Sequence, residues 1–163
     1  MPTNMFVKFS NNIKGESSDE NHNQWCEITE VEQDFTQDAS PTEESNQDTS
    51  KAEHGEIKIK KIVDEASTSL MKACWEGTKL DKVEIECFRA GGQNEPIKYF
   101  TIVLEKVIIK KFEYKGGDGD VITEDLELVA AKATYTYRAM DKKLGTAKPR
   151  KIASHDLKSN VIT

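Results

Sequence analysis

The hydrophobic pattern predicts one convincing helix, and it begins soon after residue 66. Ser67 or Thr68 can cap its start, because a side-chain oxygen there accepts from the free N–H groups of the first turn. Gly77 suits the left-handed position that ends a helix. The helix is therefore expected to be about three turns long. Its apolar residues recur at the spacings of one helical face: Leu70, Met71 and Cys74.

After this helix the period changes from helical spacing to strict alternation. Val83, Ile85 and Cys87 fall on one side of an extended chain, with polar residues and one phenylalanine between them. Gly91-Gly92 closes the segment and suits a turn into a following strand. The sequence thus predicts a half-buried strand directly after the helix.

Other segments show the same alternation and are predicted as strands. Two of these segments, Ile97–Leu104 and Val107–Tyr114, are either separate strands or one long strand with a kink at Glu105-Lys106. The segments are Met5–Phe9, Trp25–Phe35, Glu56–Val63, Ile97–Leu104, Val107–Tyr114 and Thr123–Met140.

This order of elements predicts a mainly β fold. Long helices do not alternate with strands, so a parallel α/β sheet is excluded in favour of antiparallel connections. The prediction is an antiparallel β-barrel or two-sheet sandwich with one short α-helix, forming a single domain over residues 1–163. Residues 141–163 are expected to be a tail or a short added strand.

The predicted strand Trp25–Phe35 changes character along one face. That face begins with Cys26 and Ile28 and continues with Glu30 and Glu32. When the side chains on one face of a strand change from apolar to acidic, that part of the strand either lies outside the core or lines a water-filled cavity.

Acidic residues concentrate early in the chain. Between Glu16 and His54 there are twelve acidic residues and one lysine, a net charge of −11 in a chain whose total is −6, so the rest carries +5. Within this segment, Gln37–Gly55 has no apolar residue larger than alanine and is predicted to be a long exposed loop.

Composition excludes several classes of function. The acidic balance disfavours nucleic acid as a partner. No apolar stretch of 18 residues could span a membrane, and no apolar run follows a basic start, so neither membrane insertion nor a signal peptide is expected. The odd cysteine count without a C-x-x-C pair indicates small buried hydrophobes: Cys26, Cys74 and Cys87.

The sequence offers no catalytic or metal-binding constellation. His22, His54 and His155 lie far apart in polar segments and are interpreted as exposed bystanders. The glycine-rich run Gly116–Asp120 lacks the further residues of a calcium or phosphate loop and is interpreted as a hairpin turn. We therefore expect no enzyme activity and no cofactor.

Several short motifs, in order over about 130 residues, resemble the haemolysin-coregulated protein (Hcp) family of type VI secretion systems. The motifs are Met5-Phe6-Val7-Lys8, Lys14-Gly15-Glu16-Ser17, L-M-K-A-C-x-x-G at residues 70–77, R-x-G-G at 89–92, Tyr99-Phe100, Gly116-Gly117, Thr123-Glu124-Asp125-Leu126, Tyr135 and Tyr137.

This resemblance implies a mechanical protein with the barrel fold that Hcp proteins and phage tail-tube proteins share. It implies a homo-hexameric ring that stacks head to tail into a tube inside a contractile sheath, with a spike protein at the tip and effector proteins in the lumen. It also implies a stage in the bacterial cytoplasm before firing, followed by secretion without a signal peptide.

On this interpretation two groups of residues are candidate sites. Glu30 and Glu32 are candidates for the lumen wall that contacts effectors. The acidic loop supplies candidates for contacts between rings: Asp38, Glu43, Glu44 and Asp48.

Two alternatives stay open at this level. One is a phage-type tail-tube protein, which has the same mechanical role in a virion. The other is a monomeric β-barrel module that binds a small ligand in a pocket lined by Trp25 or Tyr135.

Overall fold

A computed structural model describes residues 4–37, 52–90, 96–139 and 148–163. The strands and the helix follow in the order β1 (Met5–Phe9), β2 (Cys26–Glu32), β3 (Phe35–Thr36), β4 (Glu53–His54), β5 (Ile57–Ile62), α1 (Ser67–Glu76), β6 (Leu80–Arg89), β7 (Ile97–Lys115), β8 (Thr123–Tyr137), β9 (Lys151–Asp156) and β10 (Val161–Ile162).

Six strands close into an antiparallel barrel. Their order is β8-β5-β2-β1-β6-β7, and a further pairing of β7 with β8 completes the ring of strands. The predicted mainly β, antiparallel fold is confirmed, and of its two forms the barrel is the one observed. Closure removes the free sheet edges that an open sandwich would expose.

The barrel interior is filled by the alternating apolar residues. Val83, Ile85 and Cys87 are all buried, as predicted. Helix α1 packs against β7 and buries Leu70 and Ala73. Burying one leucine side chain stabilises the fold by about 1.5–3 kcal/mol.

Helix α1 ends as predicted but begins differently. Gly77 is left-handed, with φ of 63°. The N-cap is Ala66, without a side-chain hydrogen bond, so the predicted cap at Ser67 or Thr68 was wrong. Asp64 Oδ1 accepts from the Ala66 N–H at 2.9 Å, and Ser67 Oγ accepts from the Asp64 N–H at 2.9 Å. A turn before the helix satisfies these donors.

A bulge in β2 explains why one face of the predicted strand turns acidic. Ile28 lies opposite Lys61, but Glu30 lies opposite Lys60, so the register shifts by one residue between them. The extra residue exchanges the two faces of the strand. Val31 then packs against the core, and Glu30 turns outwards.

The segment from Ile97 to Lys115 is one long strand, the second of the two predicted forms. Lys106 has φ of 53°, at the predicted kink. The buried positions change parity there, from Ile102 and Leu104 to Val107 and Ile109. In the paired strand β8, the inward positions of the first half are Leu126 and Leu128, whereas Val129 is exposed.

The C-terminal segment adds a hairpin to the outside of the barrel. Strand β9 pairs with β8 from Lys132 to Tyr137, and β10 pairs with β9. Of the two forms predicted for this segment, the added strand is therefore observed within the described residues 148–163.

The predicted loop Gln37–Gly55 is flanked by a short second sheet. Phe35 pairs with His54 and Thr36 with Glu53, so the end of the predicted loop is strand β4. Residues 38–51 lie outside the described residues.

Candidate functional site: the charged face, the apolar groove and two buried clusters

The outer surfaces of β2, β5 and β8 form a face of alternating charge, which we call the charged face. Cross-strand registers place Glu30 opposite Lys60 and Glu32 opposite Lys58, and β8 places acidic residues opposite the same two lysines. The face contains a shallow depression of about 250 Å³. Its charged residues are Glu30, Glu32, Lys58, Lys60, Glu113, Asp125 and Glu127.

The predicted lumen candidates are therefore exposed side chains among lysines. Glu30 Oε2 lies 3.8 Å from Lys60 Nζ, with both side chains substantially exposed. An exposed pair of this kind contributes at most about 1 kcal/mol to stability. The face thus carries both signs with an acidic excess, five carboxylates to two lysines, which suits contact with a polar or basic protein surface.

The four candidates for contacts between rings, Asp38, Glu43, Glu44 and Asp48, lie outside the described residues. The structure does describe the base of their loop, strands β3 and β4. This base lies against the C-terminal hairpin.

A histidine pair joins that base to the hairpin. His54 Nε2 lies 2.9 Å from His155 Nδ1, and His155 Nε2 lies 2.8 Å from Asn160 Oδ1. Since the amide oxygen only accepts, His155 donates through Nε2, and in the neutral ring its Nδ1 is then the acceptor for the His54 Nε2–H. The interpretation of these histidines as distant bystanders was wrong, because the fold brings together residues 101 positions apart.

Beside this pair lies an apolar groove of about 420 Å³, between the β3–β4 sheet, β8 and the hairpin. The Tyr135 hydroxyl donates to Gln33 Oε1 at 2.6 Å. Burial raises the pKa of Tyr135 to about 12, against a smaller lowering by this hydrogen bond. The groove is lined by Phe35, His54, Phe100, Tyr135, Ala153, Ser154, His155 and Ile162.

His22 is also buried, again contrary to the bystander interpretation. Its ring stacks on Phe6 with centroids 4.2 Å apart, and Nδ1 lies 2.7 Å from Asp19 Oδ2. Its Nε2 lies 3.5 Å from Glu86 Oε2. Asp19, three residues before His22, is the sequence signal that could have indicated a turn held by a bond between these two side chains.

A second buried cluster lies where β5 meets α1. Lys61 is fully buried and contacts Glu124, also fully buried, and its Nζ lies 2.9 Å from Asp64 Oδ1. Ser67 Oγ donates to Glu124 Oε1 at 3.0 Å. Burial alone would lower the pKa of Lys61, but hydrogen bonds to Glu124 and Asp64 outweigh it and raise that pKa. Sequence reasoning missed this cluster, although Lys61 directly follows Lys60 and so falls on the same side of the strand as Ile57 and Ile59.

The two cysteines at barrel positions behave as predicted. Cys26 and Cys87 are buried free thiols, and burial raises the pKa of both, that of Cys87 to about 11. Such thiols are poor nucleophiles. Among the described residues, no group of three potential ligands could hold a metal ion, and no helix is long and apolar enough to cross a bilayer.

The fold and these surfaces define the class of protein: a closed β-barrel with an added hairpin and several surfaces suited to protein contacts. Residues 6–137 match the family model described as "Type VI secretion system effector, Hcp". The chain belongs to the Hcp family of type VI secretion. Membership makes it a structural protein of that system and not an enzyme.

Relatives and solved structures agree with this assignment. The chain is 26% identical over 139 residues to "Protein hcp1" of Pseudomonas aeruginosa, covering 85% of each chain. It is 32% identical over 101 residues to the "Major exported protein" of the same organism, covering 58% of this chain and 59% of that one. A solved structure titled "Structure of a type six secretion system protein" has a TM-score of 0.88 at 20% identity, covering 99% of this chain and all of the other. At that identity the structural likeness shows the fold alone.

Proposed function

We propose that this protein is the subunit of a type VI secretion tube. Six copies form a ring, and rings stack head to tail inside a contractile sheath, with a spike protein at the tip. Contraction carries the tube from the bacterial cytoplasm out of the cell, together with effector proteins in its lumen. The observation that carries the proposal is the family match over residues 6–137. A relative named for its export supports the secreted stage.

The molar mass in solution tests the ring. Light scattering on the eluting peak at modest salt is expected to give a mass near six times 18.4 kDa, the mass of one chain. Negative-stain images should then show rings with a central hole. A monomer at every accessible concentration would contradict the proposal.

We propose that the charged face lines the lumen, with Glu30 and Glu32 contacting cargo. The exposure of both carboxylates and the alternation of charge around them support this placement. Replacing both by glutamine keeps their shape and removes two charges per subunit, twelve per ring of six. Effector proteins co-produced with the ring should be retained less.

Glu76→Gln provides the matched control for this loss. That carboxylate is also exposed and also pairs with a lysine, Lys72, but it lies on α1, away from the charged face. Equal retention by the Glu30→Gln/Glu32→Gln ring and the control ring would overturn the lumen assignment and leave the ring itself intact.

We also propose that the acidic loop contacts the neighbouring ring through Asp38, Glu43, Glu44 and Asp48. The net of −11 in the segment that contains it, against +5 elsewhere, supports a contact between unlike surfaces. Changing the four residues to asparagine or glutamine should leave six-chain rings and remove longer stacks. Loss of the rings themselves would show that the loop acts within the ring.

One observation favours a second candidate function. The apolar groove contains Tyr135, one of the two aromatic residues expected to line a pocket in a monomeric ligand-binding module. Trp25, the other, packs against His22 instead. A monomeric mass together with saturable binding of a small apolar ligand would favour this module.

A further inference from the structure

The histidine pair lies where two parts of the fold are joined. Strands β3 and β4 pair with each other over two residues each, so this small sheet depends on its neighbours to keep its position. His54 on β4 contacts His155 on β9, and the Tyr135 hydroxyl on β8 donates to Gln33, just before β3. The Phe35 ring lies edge-on to His54, with centroids 4.9 Å apart. The pair is thus one of the joints between the loop base and the C-terminal hairpin.

The gap between the two rings holds one hydrogen. The nitrogens that face each other are His54 Nε2 and His155 Nδ1, 2.9 Å apart, and one of them must accept for the bond to form. On its other side, His155 Nε2 donates to Asn160 Oδ1. A doubly protonated imidazole ring has no acceptor nitrogen. Two such rings would therefore place two N–H groups and two positive charges against each other across this gap.

The bonded pair can accordingly carry at most one proton beyond its neutral form. The separated rings can carry two, because histidine in water takes up a proton near about pH 6.5. In acid, the open form thus binds one more proton than the closed form. By linkage, the opening equilibrium constant rises about tenfold for each pH unit below that value. The joint is at full strength above about pH 7 and weakens as the pH falls below about 6.5.

The charges around the pair do not remove this conflict. The titratable groups that border it are Asp34 and Glu53 at the loop base, Lys132 and Tyr135 on β8, and Asp156 and Lys158 on the hairpin. Glu53 and Asp156 each adjoin a histidine within a strand, so their side chains point to the opposite side. Tyr135 stays uncharged in this range, since burial raises its pKa to about 12. The carboxylates favour a first proton on the pair, but a second proton still enters the gap.

We propose that His54 and His155 form an acid-sensitive latch, which holds the base of the acidic loop on the C-terminal hairpin near neutral pH and releases it in acid. Release also separates Phe35 from Tyr135, whose ring centroids lie 5.5 Å apart in the closed form, and so widens the apolar groove. A consequence for assembly rests on the proposed function: because the loop is proposed to contact the neighbouring ring, stacks should loosen in acid while single rings persist.

Hydrogen–deuterium exchange of the assembled protein tests the latch directly. Peptides that cover β3, β4, β9 and β10 are followed by mass spectrometry, with exchange times scaled for the intrinsic pH dependence of amide exchange. Between about pH 6.5 and pH 5, the opening equilibrium constant of these peptides should rise roughly 30-fold. Peptides from β6, which carries buried residues of the barrel core, are the internal reference and should not change.

Glutamine variants identify the groups responsible. His54→Gln and His155→Gln each introduce a side chain that can donate or accept but takes up no proton. In both variants the exchange of the latch peptides should be independent of pH over this range. His22→Gln is the matched control, because His22 is the remaining histidine of the chain, is also buried, and contacts Asp19 instead of the hairpin. The control should keep the full response.

The outcomes separate the latch from the proposed function. Equal protection of the wild-type latch peptides at both pH values would overturn the latch. A response that survives in both glutamine variants would assign it to the bordering carboxylates, and a response lost in His22→Gln would assign it to His22, so either result also overturns the latch. Sedimentation velocity of the same samples reports assembly. Chains that form no ring at any pH, but keep the exchange response, would contradict the proposed function and leave the latch standing.

Discussion

Lys61 and Glu124 face one another across β5 and β8, and neither side chain is exposed to solvent. A buried ion pair gains little net stability when both partners are present, but removing one partner leaves an uncompensated charge in the interior. Asp64 adds a second carboxylate to the same ammonium group. The cluster therefore makes the join between barrel and helix depend on a single residue, Lys61.

Lys61→Met should lower the free energy of unfolding by about 3–5 kcal/mol. The methionine fills a similar volume, so the loss of stability is due to the carboxylates of Asp64 and Glu124, which remain buried without their cation. Urea denaturation measures it, and adding Glu124→Leu should recover part of it. Lys82→Met is the control, since Lys82 pairs with Glu84 at an exposed site and should change stability by at most about 1 kcal/mol. Equal effects of Lys61→Met and Lys82→Met would contradict the role of the cluster.

Tyr135 should ionise late in an alkaline titration. Its folded pKa is about 12, against 10.0 for an ordinary tyrosine. Because the unfolded side chain loses its proton first, the stability linked to this group is present below pH 10 and is lost as the pH rises from 10 to 12. When absorbance at 295 nm is followed as the pH rises, one tyrosine should ionise only at high pH. Tyr135→Phe should remove this step, and Tyr137→Phe should retain it. A late component that survives Tyr135→Phe would refute the assignment.

At the scale of elements, local signals predicted where structure begins and ends more reliably than which side faces inwards. Gly77 ends α1 in the left-handed conformation, as a glycine at that position predicts. The bulge in β2 and the positive φ of Lys106 each exchange the buried and exposed sides of a strand. Whether the buried and exposed sides are exchanged depends on pairing with the neighbouring strand, so it cannot be predicted from alternation within one strand.

Gly77→Ala should destabilise the protein by about 1 kcal/mol. Nothing lies within 4 Å of the added methyl group, so the effect comes from the left-handed backbone alone. Thermal unfolding followed by circular dichroism measures it. Glu76→Ala, at the preceding exposed position, should stay within about 0.5 kcal/mol, and an equal loss in both variants would point to general fraying of the helix end.

For the whole molecule, the segregation of charge along the chain bears on assembly. In the proposed head-to-tail stack, the acidic stretch of one subunit would attract the basic remainder of the next, and salt would screen such contacts as the Debye length falls. Contacts within a ring that bury apolar surface should respond less to salt. Ring formation and ring stacking are thus expected to separate in their salt dependence.

Raising the salt from 0.05 M to 0.5 M should weaken stacking roughly tenfold and leave six-chain rings in place. Sedimentation velocity resolves single rings from stacks in one experiment. Rings carrying amide substitutions at all four loop candidates should show no such response. Stacks that lengthen with salt would mean that repulsion between acidic loops, and not attraction to the basic remainder, governs the contact.

The sequence by itself determined the helix, the main strands and the family of this protein, but not the short strand β4 inside the predicted loop. Two-residue alternation is a local property of a half-buried strand, so Met5–Phe9 and the strand after α1 could be located without the fold. The order of short motifs likewise needs only the chain. What these signals have in common is that their physical causes act over a few neighbouring residues.

Only the tertiary structure decided between barrel and sandwich and assembled the surfaces. Closure requires β7 to meet β8, and the pairing of His54 with His155 requires the loop base to meet the C-terminal hairpin. Lys61 falls on the inward side with Ile57 and Ile59, but its buried partner Glu124 is found only when β8 is paired with β5. Contacts between residues tens of positions apart are set by closure of the whole sheet, which leaves no local pattern in either segment.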